Sequence, residues 1–119
     1  MTLNINGVEH DVRFGIRFVA ELDKKYANSK NEGYGVGLAY AVPLLLDDDV
    51  LTLADVLHLS CCTEKNAPSK DQVDSYVESV EDIEALFGEV LEELKKQNAT
   101  KIKTVKMIAL YEKMQKANK

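Results

Sequence analysis

Residues 3–18 read LNINGVEHDVRFGIRF, and the period of the apolar residues changes within this stretch. In its first half, apolar and polar residues alternate on either side of Asn6-Gly7, a dipeptide that accepts the positive φ angles of a type I′ turn. After Gly15, apolar residues recur about every 3.6 positions, as in a helix that buries one face. The stretch therefore predicts a β-hairpin over residues 2–13 that leads directly into a helix. Because a two-stranded hairpin is not stable alone, we expect it to pack on helices.

Helical periodicity continues beyond this stretch. We predict a helical core over residues 14–97 and a basic C-terminal helix over residues 100–117. Pro43 interrupts the second apolar segment, where we expect it to kink or restart a helix because it lacks an amide proton. A chain of 119 residues fits one domain. The predicted fold is mainly α, an N-terminal β-hairpin packed on a bundle of five to six helices, in a single domain over residues 1–119.

Helix starts are indicated by short polar residues three positions before a second polar residue, the spacing of a capping box. The consecutive aspartates of residues 47–49 are interpreted as ending one helix and favouring the start of the next. The pairs with capping-box spacing are Thr52 with Asp55, Ser69 with Gln72, and Ser79 with Asp82.

Charge is unevenly distributed along the chain, whose net charge is −5. Residues 71–94 contain nine acidic side chains and no basic ones, whereas residues 95–119 contain eight lysines and one acid, Glu112. Two interpretations stay open. The segments are either two solvated helix faces of opposite sign, or the second is a basic arm that binds an acidic partner.

The residue types that carry chemistry do not form a recognisable site. Cys61 and Cys62 are adjacent, a spacing that disfavours a structural disulfide, and we expect buried or half-buried thiols. His58 has no second ligand at metal-binding spacing. The glycines of residues 33–37 lack the flanking strand of a phosphate loop, so close packing between helices is their expected role. We predict no enzymatic activity, cofactor or metal; an enzyme built around His58 and the cysteines is the alternative.

Composition also bears on membranes and nucleic acids. The longest apolar stretch, residues 36–46, is far shorter than the roughly 20 residues of a membrane span. The N-terminus resembles no signal peptide, so we expect the protein to stay in the cytosol. With a pI near 5.0 and two arginines, the chain does not have the composition of a nucleic-acid-binding protein.

Three stretches together resemble a known family. The first runs from LNINGVEHDVRFGIRF (3–18) to ELDKKY (21–26), and the second from GVGL (35–38) through PLL (43–45) to LADV (53–56). The third is EDIEALFGEVLEELKK (81–96), followed by NAT (98–100). In this order they resemble the tail assembly chaperones of long-tailed, siphovirus-type bacteriophages and prophages of Gram-positive bacteria.

This resemblance implies a non-structural, non-enzymatic protein made in the cytoplasm of the bacterial host. Such chaperones coat the long, helical, apolar tape measure protein, keep it soluble and assist assembly of the tail tube. In many of these phages a ribosomal frameshift adds a second domain that recruits the major tail protein. The present chain would correspond to the shorter form. Self-association into a ring or a helical array is an open possibility.

A partner-binding role requires exposed apolar residues on an amphipathic helix. We expect them at two places: Leu44, Leu45 and Leu46 beside Pro43, and Ile102, Val105, Ile108 and Tyr111 on the terminal helix. The alternative is that these are ordinary core residues. An alternative function is that of a small phage regulatory or nucleic-acid-associated protein that uses the lysine-rich terminal helix.

Overall fold

The computed structural model describes residues 1–27 and 33–118. Strands β1 (Thr2–Ile5) and β2 (Val8–Asp11) form an antiparallel hairpin. Asn6 and Gly7 have φ angles of 54° and 81°, the positive values that a type I′ turn requires. The predicted hairpin is confirmed.

Six helices follow the hairpin in the described residues, so the prediction of a mainly helical fold is confirmed. They are α1 (Ile16–Tyr26), α2 (Val36–Leu46), α3 (Val50–Ser60), α4 (Lys70–Ser79), α5 (Ile83–Lys96) and α6 (Lys101–Ala117). The terminal helix therefore begins one residue later than the predicted residue 100. Pro43 lies inside α2, and the helix continues through it to Leu46 without a restart.

The hairpin is held against the helices by its inner face and by one glutamate. Leu3 and Ile5 are buried, because alternate side chains of β1 point toward the core. Glu64, in the loop after α3, accepts a hydrogen bond of 3.0 Å from the amide of Asp11. Its second oxygen lies 2.7 Å from Nδ1 of the buried His10. His10 and Glu64 thus tether the hairpin to the loop that follows α3.

The core is a cluster of apolar side chains from the hairpin, from the segment that joins it to α1 (Val12 and Phe14) and from the first five helices. α6 contributes only Thr104 to the fully buried set in the described part of the chain. It therefore packs on the outside of the fold, with much of its apolar surface uncovered. The largest fully buried side chains of the core are Leu3, Phe14, Phe18, Leu22, Leu38, Leu45, Leu53, Leu57 and Leu94.

Two of the three predicted helix caps are wrong. Ser69 does form a capping box with Gln72 at the start of α4. However, α3 is capped by Asp49, whose carboxylate accepts from the amide of Thr52, so Thr52 itself lies inside the helix. Similarly α5 is capped by Asp82, whereas Ser79 is the last residue of α4. In both cases the aspartate is the stronger cap, because its negative charge also favours the helix N-terminus.

A close junction joins the start of α2 to the end of α1. The carboxylate of Asp23 accepts hydrogen bonds from the amides of Gly35 (3.0 Å) and Gly37 (2.7 Å), two donors that α2 itself leaves without a partner. An added Cβ at Gly37 would lie 2.7 Å from the carbonyl carbon of Leu22. The expected role of these glycines in close helix packing is therefore confirmed at Gly37.

We expect Asp23→Ala to lower the free energy of unfolding by about 1–2 kcal/mol, because two amides at the start of α2 lose their acceptor. Urea denaturation measures this change. Glu78→Ala is the matched control, since Glu78 is exposed on α4 and its replacement should alter stability by less than about 0.5 kcal/mol. Equal stabilities of the two variants would contradict the proposed contribution of this junction.

Candidate functional site

Two tyrosines attach α6 to α2 at opposite ends. The hydroxyl of Tyr34 donates to the carbonyl oxygen of Ala99 at 2.8 Å, and the hydroxyl of Tyr111 donates to the carboxylate of Asp47. Tyr34 and Ala99 precede the two helices, whereas Asp47 follows α2 and Tyr111 lies in the second half of α6. The two helices therefore run side by side in the same direction.

An open apolar groove lies between these two helices along the second half of α6. It has a volume of about 290 Å³, at the lower limit of the roughly 300–1,000 Å³ of small-molecule pockets. Leu110 and Met114 are 49% and 57% exposed at its rim. Such a surface suits the side chains of a docked helix. The residues that define this α2–α6 groove are Ala39, Pro43, Asp47, Met107, Leu110, Tyr111, Met114, Gln115 and Asn118.

The predicted contact residues near Pro43 occupy different environments. Leu45 is 1% exposed and belongs to the core. Leu44 and Leu46 are half-buried, and Leu46 packs against the core. Only Pro43 itself, which marked this segment, lines the groove.

The predicted contact residues of α6 are also divided by the fold. Tyr111 lines the α2–α6 groove. Ile108 is half-buried and packs against the core. Ile102 and Val105 are 71% and 48% exposed, but they do not line the groove. The four residues therefore do not share one face, since a spacing of three shifts each side chain by about 60° around a helix.

Met107, Leu110 and Met114 are groove residues that the sequence prediction missed. Their spacings of three and then four keep them on one side of the helix. That spacing was a visible signal in the sequence. The series Ile102, Val105, Ile108 and Tyr111 also has helical spacing. Periodicity within α6 alone therefore does not show which side of the helix meets α2.

The pKa of the Tyr111 hydroxyl is shifted by its hydrogen-bond acceptor, Asp47. The hydrogen bond to Asp47 raises the pKa of Tyr111 above its ordinary value, because ionisation would place two negative groups together. The tyrosine thus stays a donor at alkaline pH values where a free tyrosine begins to ionise, which maintains the contact at this end of the groove.

The acidic and basic segments form ion pairs with each other where they meet at the end of α5. Lys95 and Lys96 pair with Glu92 and Glu93 of their own helix, α5. Within residues 1–27 and 33–118, no lysine of α6 forms an ion pair. The positive charge of α6 is therefore presented to solvent.

The cysteines do not have the environment of an activated nucleophile. Cys61 is buried and Cys62 is half-buried, as predicted, and both thiols are free. Burial raises the pKa of both thiols, while burial and the charge of Lys70 lower the pKa of His58. These shifts oppose a thiolate–imidazolium pair, which requires the reverse changes. No group of three potential metal-ligating side chains occurs in the described part of the chain.

In the two described ranges, no helix has both the length and the apolar character needed to cross a bilayer. The longest helix, α6, has 17 residues and carries lysines along its length.

Comparison with known proteins identifies the family. Comparisons with curated proteins and with solved structures each found no significant match. A family model described as phage tail assembly chaperone protein, TAC, matches residues 2–109. This match includes the hairpin, the helices α1–α5 and the first nine residues of α6. The chain therefore belongs to the phage tail assembly chaperone family, whose members are chaperones and not enzymes.

Proposed function

We propose that this tail assembly chaperone binds the tape measure protein of its phage, keeps it soluble and assists assembly of the tail tube. The observation that carries the proposal is family membership combined with an open apolar groove on the outermost helix. Contact with the major tail protein would require a frameshifted longer form. We place this activity in the cytoplasm of the bacterial host, which we propose to be Gram-positive. The shared core supports our proposal that the chain acts as a single domain.

The surface of α6 suits a long helical partner. An amphipathic helix can place apolar side chains at intervals of three and four residues into a groove between two helices. Leu110 and Met114 are already exposed, so docking at this place requires no opening of the core. Leu45 would become accessible only through unfolding of α2, which makes it the least suitable of the predicted contacts.

Co-expression with the long, helix-rich protein encoded downstream tests the partner. We expect the wild-type chaperone to increase the soluble fraction of that protein and to co-purify with it. Insolubility of the downstream protein, together with absence of a complex, would contradict the proposed function. The measurement is the soluble yield of the downstream protein with and without the chaperone.

The double variant Leu110→Asp/Met114→Asp tests the groove in the same assay. We expect the co-purified tape measure protein to fall by about tenfold or more, because docking would bury two unpaired carboxylates. Val8→Asp is the control, since Val8 is 55% exposed on the hairpin, away from α6. A folded double variant that retains full binding would exclude the groove and favour the exposed pair Ile102 and Val105 as the contact.

A further inference from the structure

Lysines border the α2–α6 groove. Lys106 and Lys113 lie four residues before and three residues after Leu110, so they share its side of the helix. Both lysines are exposed. Lys103 lies four residues before Met107, and its methylenes approach Gly35 at the start of α2, at 3.3–3.6 Å from the position of an added Cβ. Three lysines of α6 therefore lie next to groove-lining residues of the same helix, although they do not line the groove themselves.

The carboxylates near the groove accept hydrogen bonds from other groups: that of Asp23 accepts from the amides of Gly35 and Gly37, and that of Asp47 accepts from Tyr111. The single acid of α6, Glu112, is two residues from Leu110 and so lies on a different side of the helix. Asp47 lines the far end of the groove, where its carboxylate accepts the hydroxyl of Tyr111. Within the described residues, Lys103, Lys106 and Lys113 form no ion pair. A partner that covers the apolar floor can therefore place its own carboxylates beside these lysines.

We propose that the α2–α6 groove binds an amphipathic helix of the tape measure protein whose apolar strip is flanked by aspartate or glutamate. This inference rests on the proposed function and adds the chemistry of the partner. The apolar strip supplies affinity by covering Met107, Leu110 and Met114. The acidic flanks determine association rate and orientation, because rim charges act mainly through complementarity.

A second copy of the chain offers a shorter version of this combination, since Val50 and Leu51 are exposed at the start of α3 beside the aspartates of residues 47–49. Two apolar side chains at a helix end do not cover three groove residues that are spread over two helical turns. The acidic helices α4 and α5 of that copy bury their apolar sides in the core. No large apolar side chain of these two helices is among the exposed ones in the described residues. A nucleic-acid duplex offers phosphates but no apolar strip. The acidic amphipathic helix is the partner that satisfies both features of the groove.

Two synthetic helical peptides test the inference on the full chain. They share one apolar strip, with Glu flanks in the first peptide and Lys flanks in the second. Fluorescence anisotropy should show at least about tenfold tighter binding of the Glu peptide, with an advantage that falls as salt screens the charges. Equal affinities for the two peptides, or preference for the Lys peptide, would overturn the inference.

Charge reversal of lysines beside the groove tests whether they cause the preference for the Glu peptide. We expect Lys106→Glu/Lys113→Glu to remove the preference for the Glu peptide. Lys24→Glu/Lys65→Glu makes the same change in net charge at exposed sites outside α6 and should leave the preference intact. Loss of the preference in both variants would assign it to net charge and overturn the inference. Tighter binding of duplex DNA than of the Glu peptide at physiological salt would overturn it in favour of nucleic acid.

The peptide assay and the co-expression assay together distinguish failure of this inference from failure of the proposed function. If the tape measure protein co-purifies but the chaperone does not distinguish the peptides, the proposed function stands and the acidic partner is wrong. If the tape measure protein does not co-purify, the proposed function fails, and the inference fails with it because its partner is named as that protein. Circular dichroism of each variant checks that the helical fold is retained.

Discussion

Replacement of Leu45 by alanine is expected to lower the free energy of unfolding by about 2–5 kcal/mol, the range for truncation of a fully buried leucine. The side chain of Leu45 is 1% exposed and packs within the core on the inner side of α2. Its removal forfeits the burial of the apolar group and leaves a cavity that the surrounding helices only partly fill. Chemical denaturation, with the slope of the transition compared between variants, measures the loss.

Leu44→Ala is the matched control, because Leu44 is the half-buried neighbour of Leu45 on the same helix. We expect a clearly smaller loss of stability. The pair also separates a core role from a contact role. Under conditions in which Leu45→Ala is folded, it should still bind the tape measure protein. A folded Leu45→Ala variant of wild-type stability that no longer binds this partner would show that Leu45 is a contact residue.

Gly37→Ala is expected to lower the free energy of unfolding by about 1–3 kcal/mol through overpacking. The added Cβ would lie 2.7 Å from the carbonyl carbon and oxygen of Leu22 and 2.9 Å from the amide nitrogen of Asp23. All three atoms belong to the backbone of α1, so no side-chain rotation relieves the clash. The helices would have to move apart, which also weakens the bond between Asp23 and the amide of Gly37.

Gly88→Ala provides a control with the opposite expected sign. Gly88 lies exposed inside α5, and an added Cβ there has no atom within 4 Å. Alanine should raise the free energy of unfolding by about 0.5–1 kcal/mol, because glycine is the less favourable residue in a helix interior. Thermal denaturation of both variants gives the comparison. Stabilisation by Gly37→Ala would contradict the close approach of α1 and α2.

Local signals predicted the hairpin and the helical class because each depends on neighbouring residues. Asn6-Gly7 specifies its turn within four residues, and Ser69 caps α4 through Gln72 three positions later. The same local signals predicted two other caps, Thr52 and Ser79, three residues away from the aspartates that cap α3 and α5. Short polar residues recur often at that spacing, so the pattern was ambiguous wherever an aspartate competed with a serine or threonine.

The hairpin, the mainly helical composition and the resemblance to tail assembly chaperones can be predicted from the sequence alone, since these follow from short-range pattern and overall order. Which apolar residues stay exposed depends on the tertiary packing. Tyr34 reaches Ala99 and Tyr111 reaches Asp47 across 65 and 64 residues of chain. These contacts fix the side of α6 that meets α2 and leave Leu110 and Met114 open. The sequence of a helix with apolar residues on several sides does not show which side its neighbour covers, because that depends on packing between distant segments.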